Sequence, residues 1–319
     1  MFDYVYWGNN SFPANINMAL EEFFTKLAAS EKVPSIRFFT FDRDSLVLSY
    51  GQATDAIKKL DKEVELTRRL TGGSHVQQGR NALSYMFTVP HDGTFRNFSD
   101  MRAYYADIVG KAFENLGIEN VEVDNRACGV KINGKVAASH AMFWGIDSAL
   151  LHGIIIVKPY NVEKIANRIW LRNRKIHGKI YTEESALRNI PAVMNQLKNF
   201  APNARPEQKL KAVHEIIAHE ILKEATKGKF EKRQIDEKII ARLQPLLQEK
   251  YNKQSWIQRR MPPFTEDEVK EIPGLYGRRL DGILMKKMPY CLWIEVKNRD
   301  FKKMAEPSEE NEQAKTKDI

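Results

Sequence analysis

The sequence has few cysteines, no long apolar run and no basic, apolar leader at its amino terminus. Only Cys128 and Cys291 occur, too few for a disulfide framework, and neither has the spacing to other cysteines or histidines that zinc sites use. No stretch approaches the roughly 18 consecutive apolar residues that a membrane span requires. The sequence therefore predicts a cytoplasmic protein that neither crosses nor binds a membrane.

The composition is that of a folded protein with a basic balance. The chain has 319 residues, of which 43% are apolar and 10% aromatic, enough to build a packed core. Lys and Arg number 50 against 41 Asp and Glu, giving a formal charge of +9. The basic residues are spread along the chain without an arginine and aromatic stripe, so we do not expect a nucleic-acid partner. The charge raises the attraction to any acidic partner, whether nucleic acid, anionic membrane, nucleotide or acidic carrier protein, and does not choose among them.

Hydrophobic periodicity predicts an α+β fold in which hairpins and helices are segregated. Helical spacing is predicted for residues 11–27, 54–63, 98–116, 162–170, 186–200, 207–225 and 236–251. Strands are predicted at 36–41, 45–50, 65–69, 83–89, 129–138 and 152–157. The polar turn 42–44 makes 36–50 a hairpin, and Asn133-Gly134 is a two-residue turn between two further strands.

A domain boundary is expected near Met261-Pro-Pro263. We interpret residues 1–263 as the main domain and 264–297 as a small accessory segment, with strands at 280–285 and 290–296. Residues 298–319 are charged and lack apolar periodicity, which predicts a disordered tail.

Three motifs could carry chemistry. In Arg68-Arg-Leu-Thr-Gly-Gly-Ser-His75, the glycines allow backbone N–H groups to surround an anion, and Arg69 can bind a carboxylate or phosphate through two donors. Lys135 follows a turn among small and apolar residues, which predicts a partly desolvated ammonium group. His152-Gly153 opens an apolar strand. Taken singly, each motif also fits an ordinary turn, a surface lysine or a core histidine.

In this order, however, the motifs resemble the lipoate–protein ligases of the biotin/lipoyl ligase superfamily. That family has an Asn-x-Ala-Leu-Glu-Glu helix, a strand pair ending in a Gly-x-x-Gln-like turn, an Arg-Arg-x-Ser/Thr-Gly-Gly-Gly loop, a Gly-x-Lys-Val/Ile-Ser-Gly-Ser-Ala segment and a His-His-Gly strand. The similar segments here are residues 17–22, 45–52, 68–74, 134–141 and 151–156. Weaker likenesses at 181–190 and 251–256 extend the resemblance over most of residues 15–263.

The resemblance implies a mixed sheet flanked by helices, with a short accessory segment at the carboxyl end. It also implies ATP-dependent activation of lipoate, or a similar acid such as octanoate, to the acyl-adenylate, followed by transfer to a carrier lysine. Lys135 is the implied catalytic residue. The implied substrate- and adenylate-binding residues are Arg69, Thr71, Gly72, Gly73, Ser74, His75, Val76, Asn81, Ser139, His152 and Gly153.

ATP, Mg²⁺ and lipoic acid are the implied ligands, with Mg²⁺ arriving with ATP because the sequence contains no metal motif. The implied partner is a lipoyl carrier domain, such as that of a 2-oxoacid dehydrogenase E2 or the glycine cleavage H protein. A separate accessory subunit is a further possible partner, because the segment after residue 263 is shorter than the family's accessory domain.

Departures from the family pattern leave alternatives open. Ser74 and His75 replace smaller loop residues, Ala127-Cys128 replaces an Asn-Asp pair, and Ala137-Ala138 replaces Ser-Gly. A transferase that takes its acyl group from a carrier without ATP would be one alternative, with Cys128 as its nucleophile. A non-catalytic protein that binds lipoyl domains is another. His214 and His219 are spaced at i and i+5, which turns them apart on a helix and argues against a zinc site.

Overall fold

The computed structural model describes residues 2–52, 54, 57–124, 129–170, 173–176, 179–182, 190–197, 200 and 203–259. Its strands are β1 (Tyr4–Phe12), β2 (Ser35–Phe41), β3 (Ser45–Leu48), β4 (Glu65–Arg68), β5 (Val76–Gln78), β6 (Ala82–Pro90), β7 (Val121–Asp124), β8 (Gly129–Ile132), β9 (Lys135–Trp144), β10 (Ser148–Ile156), β11 (Asn173–Ile176), β12 (Lys179–Thr182) and β13 (Phe230–Lys232). Its helices are α1 (Ala14–Ser30), α2 (Phe98–Asn115), α3 (Val162–Arg168), α4 (Val193–Gln196), α5 (Pro206–Thr226), α6 (Glu237–Leu246) and α7 (Gln254–Arg259), with a π-helical turn at Leu247–Tyr251.

An eight-stranded mixed sheet in the order β13-β1-β2-β6-β10-β9-β8-β7 forms the centre of the fold. Strand β1 runs parallel to β2 and β13, and the remaining neighbours are antiparallel. A smaller sheet, β4-β3-β5, lies beside it, and β11 pairs with β12. The predicted mixed sheet flanked by helices is confirmed.

Each face of the large sheet is covered by its own helices, because strand residues alternate between the faces. Tyr85 and Leu151 belong to a cluster that includes buried residues of α2 and α5. Met86 and Leu150 belong to a second cluster that includes α1, α6 and α7. No helix in the described part of the chain combines the length and the apolar character needed to cross a bilayer.

Several predicted elements are confirmed, among them the helices near 98–116, 162–170 and 207–225. The turn between β8 and β9 is also as predicted. Ile132 pairs with Lys135, and both intervening residues have positive φ, 51° at Asn133 and 70° at Gly134. A two-residue turn of this kind matches the twist of the strands that it joins.

The predicted hairpin at 36–50 is wrong. Strand β2 pairs with β1 on one edge and β6 on the other, so its backbone groups are already satisfied on both sides. Strand β3 therefore crosses into the small sheet, where it pairs with β4 and β5.

Three other predictions about local structure need correction. The first helix begins at Ala14 instead of residue 11, because Ser11 and Phe12 extend β1 and pair with β2; strand β1 itself was not predicted. Residues 54 and 57–63 contain no α-helix; Lys58 N instead donates to Arg168 O at 2.8 Å. Within the predicted helix 186–200, the described residues are helical only in α4.

The segments expected at 264–297 and 298–319 lie outside the described residues. So does Cys128.

One buried arginine ties the carboxyl-terminal part of the described chain to the small sheet. Arg68 is fully buried at the end of β4. Its guanidinium donates to the backbone carbonyls of Ser49, Tyr50, Gln52, Trp256 and Ile257 at 2.6–3.1 Å. Helix α7 and the turn after β3 are thus held by one cation.

A buried ion pair fastens α1 to the π-helical turn. Lys250 Nζ and Tyr251 Oη donate to Glu22 Oε2 at 2.6 and 2.8 Å. Burial by itself would raise the pKa of Glu22, but the charges of Lys250 and then Lys26 lower that pKa to about 2. Glu22 is therefore ionised in the folded protein at neutral pH.

Candidate active site

The glycine-containing loop between β4 and β5 borders a cavity of about 410 Å³. Helix α1 contributes Met18 and Glu21 to the wall, and α2 contributes Phe98 and Arg102. Nine residues singled out in the sequence also border the cavity: Arg69, Gly72, Gly73, Ser74, His75, Val76, Ser139, His152 and Gly153. The structure thus brings two of the three sequence motifs together around one space.

Backbone hydrogen bonds and one arginine fix the shape of this loop. Tyr50 N donates to Thr71 O at 2.9 Å, and Arg69 Nη2 donates to Gly72 O at 2.5 Å. Gly73 has a φ of 105°, in the region that favours glycine. Glycine-containing loops with such φ values can present backbone N–H groups to an anion.

A hydrogen-bonded chain of three side chains joins helix, strand and loop. His152 Nδ1 lies 2.7 Å from Glu21 Oε1, and His152 Nε2 lies 2.7 Å from Thr71 Oγ1. Because a carboxylate only accepts, Nδ1 carries the proton in this pair. Thr71 is fully buried, so it orients the loop from behind the cavity wall.

His75 has its ring oriented by a glutamine from the turn after β3. Gln52 Nε2 lies 2.8 Å from His75 Nδ1. An amide nitrogen only donates, so Nδ1 is the acceptor and the ring hydrogen is on Nε2. His75 therefore borders the cavity with its Nδ1 held by Gln52 and its ring hydrogen on Nε2.

Gly153 is required by its neighbour on β6. In the register of the sheet it lies between Tyr85 and His140, one on each adjacent strand. A Cβ atom at this position would overlap the ring carbons and the hydroxyl of Tyr85. The absence of a side chain at residue 153, which borders the cavity, makes room for the buried Tyr85 ring.

Positive charge and burial shape the electrostatics of the site. Burial, reinforced by Arg102 and His152, lowers the pKa of His140 from 6.5 to about 3. Burial likewise lowers the pKa of Arg37 to about 9, although the charge of Glu21 opposes that change. His140 is therefore neutral at physiological pH, while Arg69 and Arg102 supply cationic donors.

Lys135 is not at the cavity wall. It is exposed at the first position of β9, so the expectation of a partly desolvated ammonium is wrong. Ser139, which does border the cavity, lies four residues further along the strand, about 13 Å away at about 3.3 Å per residue. That distance is longer than a lysine side chain.

Two other residues from the sequence motifs support the site without bordering it. Thr71 acts through His152, as described above. Asn81 accepts backbone hydrogen bonds from Val157 N and Lys158 N through its carbonyl, at 3.1 and 3.0 Å. It therefore fixes the segment that follows β10.

The sequence did not single out Glu21, Tyr85, Arg102 or His140. Glu21 could have been found, since it lies in the Asn17–Glu22 segment that resembles the family's helix motif; the structure buries it to 1% exposure. Tyr85 and His140 became visible only once the register of β6, β10 and β9 was known.

Comparison with known proteins gives a consistent result. Residues 13–218 match the family model of the lipoyl protein ligase A/B catalytic domain. A lipoate–protein ligase 1 of Staphylococcus aureus is 21% identical over 281 residues, covering 86% of this chain and 79% of that protein. The octanoyltransferase LipM of Clostridioides difficile is 29% identical over 130 residues, 39% of this chain. That match spans 47% of the octanoyltransferase, about half of its length.

Solved structures share the fold at low sequence identity. A lipoate-protein ligase A bound with ATP superposes with a TM-score of 0.62 at 17% identity, covering 82% of this chain and 100% of that one. A bi-partite lipoate protein ligase, described with its E2 lipoyl domain, from Thermoplasma acidophilum has a TM-score of 0.63 at 17% identity, with coverages of 82% and 98%. A T. acidophilum protein with bound lipoic acid has a TM-score of 0.62 at 16% identity, with coverages of 81% and 99%. At these identities the likeness establishes the fold.

Proposed function

The chain belongs to the lipoyl protein ligase A/B catalytic-domain family, and from that premise we propose that it is an ATP-dependent lipoate–protein ligase. It converts lipoate, or a similar acid such as octanoate, to the acyl-adenylate. It then transfers the acyl group to a lysine of a lipoyl carrier domain.

The cavity carries this proposal, because its wall has two chemically different parts. Backbone N–H groups of the Gly72–Ser74 loop and the Arg69 guanidinium suit a carboxylate and a phosphate. Met18, Phe39 and Ile154 supply an apolar wall for an aliphatic chain. A medium-chain carboxylic acid needs both parts at once.

In the first step, a carboxylate oxygen of the acid attacks the α-phosphorus of ATP. The new bond is the acyl-phosphate anhydride, and pyrophosphate leaves with the electron pair of the broken bond. The loop N–H groups and Arg69 stabilise the negative charge on the phosphate oxygens in the transition state. His75, with its Nε2–H oriented by Gln52, supplies one more donor.

In the second step, the carrier lysine attacks the acyl carbon and AMP leaves. An ordinary lysine must first lose a proton, which costs about 4–5 kcal/mol at neutral pH. The adenylate is a reactive anhydride, and its cleavage offsets this cost. The chain Glu21–His152–Thr71 holds the loop rigid during both steps.

We assign Lys135 a role at the nucleotide phosphates, outside the acyl part of the cavity. Its exposed position at the tip of the β8–β9 hairpin means that this role requires the tip to approach bound ATP. The variant Lys135→Ala should lower the rate of adenylate formation. It should leave transfer from preformed acyl-adenylate less affected, which would separate the two half-reactions.

A matched control for this variant is Lys111→Ala. Lys111 is also exposed and lies nine residues along α2 from the cavity residue Arg102, about 14 Å at about 1.5 Å per residue. Equal rates of adenylate formation in Lys135→Ala and Lys111→Ala would remove Lys135 from the mechanism.

Mg²⁺ fits this site only as a companion of ATP. No group of three or more His, Cys, Asp or Glu side chains in the described ranges could hold a metal ion. Mg²⁺ commonly keeps its water ligands and binds through substrate phosphates. We therefore assign it no protein ligand.

The proposed partner is a lipoyl carrier domain of a 2-oxoacid dehydrogenase E2, a glycine cleavage H protein or a related protein. The formal charge of +9 supports an acidic carrier, because opposite charges raise the rate of encounter. The bi-partite ligase among the structural neighbours supports a separate accessory subunit as a second partner.

An acyl transferase is the second candidate, supported by the match to an octanoyltransferase over 130 residues. It would take an octanoyl group from a carrier thioester without ATP. Cys128 is the candidate nucleophile for that reaction.

One experiment separates the two candidates. The protein is incubated with a lipoyl domain and either ATP plus lipoate or an octanoyl carrier thioester. We expect acid-dependent pyrophosphate release and a modified lysine in the first mixture. Modification only in the second, abolished in Cys128→Ser, would overturn the ligase proposal. Modification in neither would overturn both candidates.

A further inference from the structure

The cavity contains a polar side chain that the proposed reaction does not use. His140 borders the cavity from β9 and is 8% exposed. Neither of its ring nitrogens has a hydrogen-bond partner among the described residues, and both are closed off from bulk solvent. A histidine that only filled space would need no polar atoms here.

A second polar group without a partner, the Tyr85 hydroxyl, lies on β6, which is separated from β9 by β10. The Tyr85 hydroxyl is buried, lies over Gly153 and has no hydrogen-bond partner in the described part of the chain. The Tyr85 ring contacts the His140 ring edge to face, with 5.6 Å between centroids. Both side chains therefore project from the same row of the sheet, on either side of Gly153.

Burying polar groups in this way is unfavourable unless a partner arrives. Each buried donor or acceptor without a hydrogen bond loses its contact with water and gains nothing in exchange. Native proteins contain few such groups, and clusters of them call for an explanation. His140 borders the cavity and Tyr85 contacts Gly153, which also borders it. The two groups are accounted for if a bound ligand supplies the missing atom.

The donors around this point define what the ligand must provide. The Tyr85 hydroxyl and the protonated nitrogen of neutral His140 can each donate. The Arg102 guanidinium, which also borders the cavity, has donors and no acceptor. A group that accepts hydrogen bonds gives both the Tyr85 hydroxyl and the His140 ring a partner, whereas a hydrocarbon chain gives them none.

We propose that the acid for which this site is built carries an oxygen acceptor along its chain, such as a carbonyl or hydroxyl oxygen, bound by His140 and Tyr85. This inference rests on the proposed function, and it changes the preferred acid from lipoate or octanoate to one that carries an oxygen along its chain. Octanoate has no such oxygen, and the sulfur atoms of lipoate accept hydrogen bonds only weakly. A site built to hydrogen-bond its substrate discriminates strongly against analogues that lack the bonding group.

Equilibrium binding of a matched series of acids tests the inference without requiring turnover. Octanoate is compared by titration calorimetry with oxo-octanoates whose carbonyl is moved one carbon at a time along the chain. We expect one isomer to bind about 10- to 100-fold more tightly than octanoate, because it satisfies groups that octanoate leaves without partners. The preference should fall towards parity in Tyr85→Phe, which removes only the hydroxyl, and in His140→Phe.

Tyr105→Phe is the control. Tyr105, on α2, is also a buried tyrosine in the cluster that contains Tyr85, but its hydroxyl is already hydrogen-bonded to Tyr4. The preference for the oxo acid should survive this variant unchanged. Circular dichroism of each variant shows whether it is folded before binding is measured.

The outcomes distinguish this inference from the proposed function. If octanoate binds as tightly as every oxo acid, or if the preference survives both Tyr85→Phe and His140→Phe, the inference is wrong and the ligase proposal stands. If neither octanoate nor any of the oxo acids binds, both are wrong.

Discussion

Acidification from about pH 7 to about pH 5 should destabilise the protein through two buried histidines. The pKa of His140 is lowered to about 3, and burial lowers that of His214, on α5, to about 4. In the unfolded chain both titrate near 6.5. Below that value the unfolded state binds protons that the folded state does not, so stability falls as the pH falls.

The size of the effect follows from the difference in proton binding. For a histidine with a folded pKa of about 3, lowering the pH from about 7 to about 5 removes about 2 kcal/mol of unfolding free energy. His214, with a folded pKa of about 4, loses nearly the same amount over this range, about 2 kcal/mol. Glu22 contributes little, since its folded pKa of about 2 and the value of about 4.3 for an unfolded glutamate both lie below this pH range.

Urea unfolding at the two pH values, followed by circular dichroism, measures the loss. The wild-type chain should lose about 4 kcal/mol, and His140→Phe should lose only about 2 kcal/mol, since one of the two titrating groups is gone. If the variant and the wild type lose the same free energy, His140 is not buried as a neutral ring, and the electrostatic description of the cavity fails.

Three further predictions test individual contacts by urea unfolding. Gly153→Ala places a Cβ atom against the Tyr85 ring and should cost about 1–3 kcal/mol; a neutral result would show that the ring can move aside. Glu22→Gln leaves Lys250 buried beside an uncharged partner and should cost about 3–5 kcal/mol, with unchanged stability arguing that the lysine reaches solvent. Arg68→Lys replaces a planar group with five donors by a point charge. It should lower the unfolding free energy by more than about 1.5–3 kcal/mol, the value of a single charged hydrogen bond. A smaller loss would show that Arg68 does not hold α7 and the turn after β3 together.

How far the sequence predicts this fold depends on whether the signal is local. The β8–β9 turn was predictable because Asn133-Gly134 favours positive φ whatever surrounds it. The pairing of β2 was not, because a polar turn after a strand looks the same whether the chain returns beside that strand or crosses to another sheet. Strand β2 has no free edge because it pairs with β1 on one side and β6 on the other, and β6 lies far from it in the sequence.

The candidate site shows the same limit. The glycine loop and His152 were predictable because their residue types have unusual chemistry at any position. Lys135 was expected to be partly buried because its neighbours are apolar, yet Val136 beside it is itself 37% exposed at the hairpin tip. His140 has no sequence signal, since its environment is created by strands β6 and β10.

Because five carbonyls surround Arg68, residues 256 and 257 at the carboxyl-terminal end of the described chain help to stabilise the cavity. Two of the five come from Trp256 and Ile257, and the next residue after Arg68 is the arginine that clamps the glycine loop. A chain shortened before residue 256 would strip acceptors from a fully buried guanidinium. The backbone at Arg68 and Arg69 would then be less well fixed, and so would the glycine loop that Arg69 holds. Removing residues more than 180 positions away in sequence would therefore weaken substrate binding.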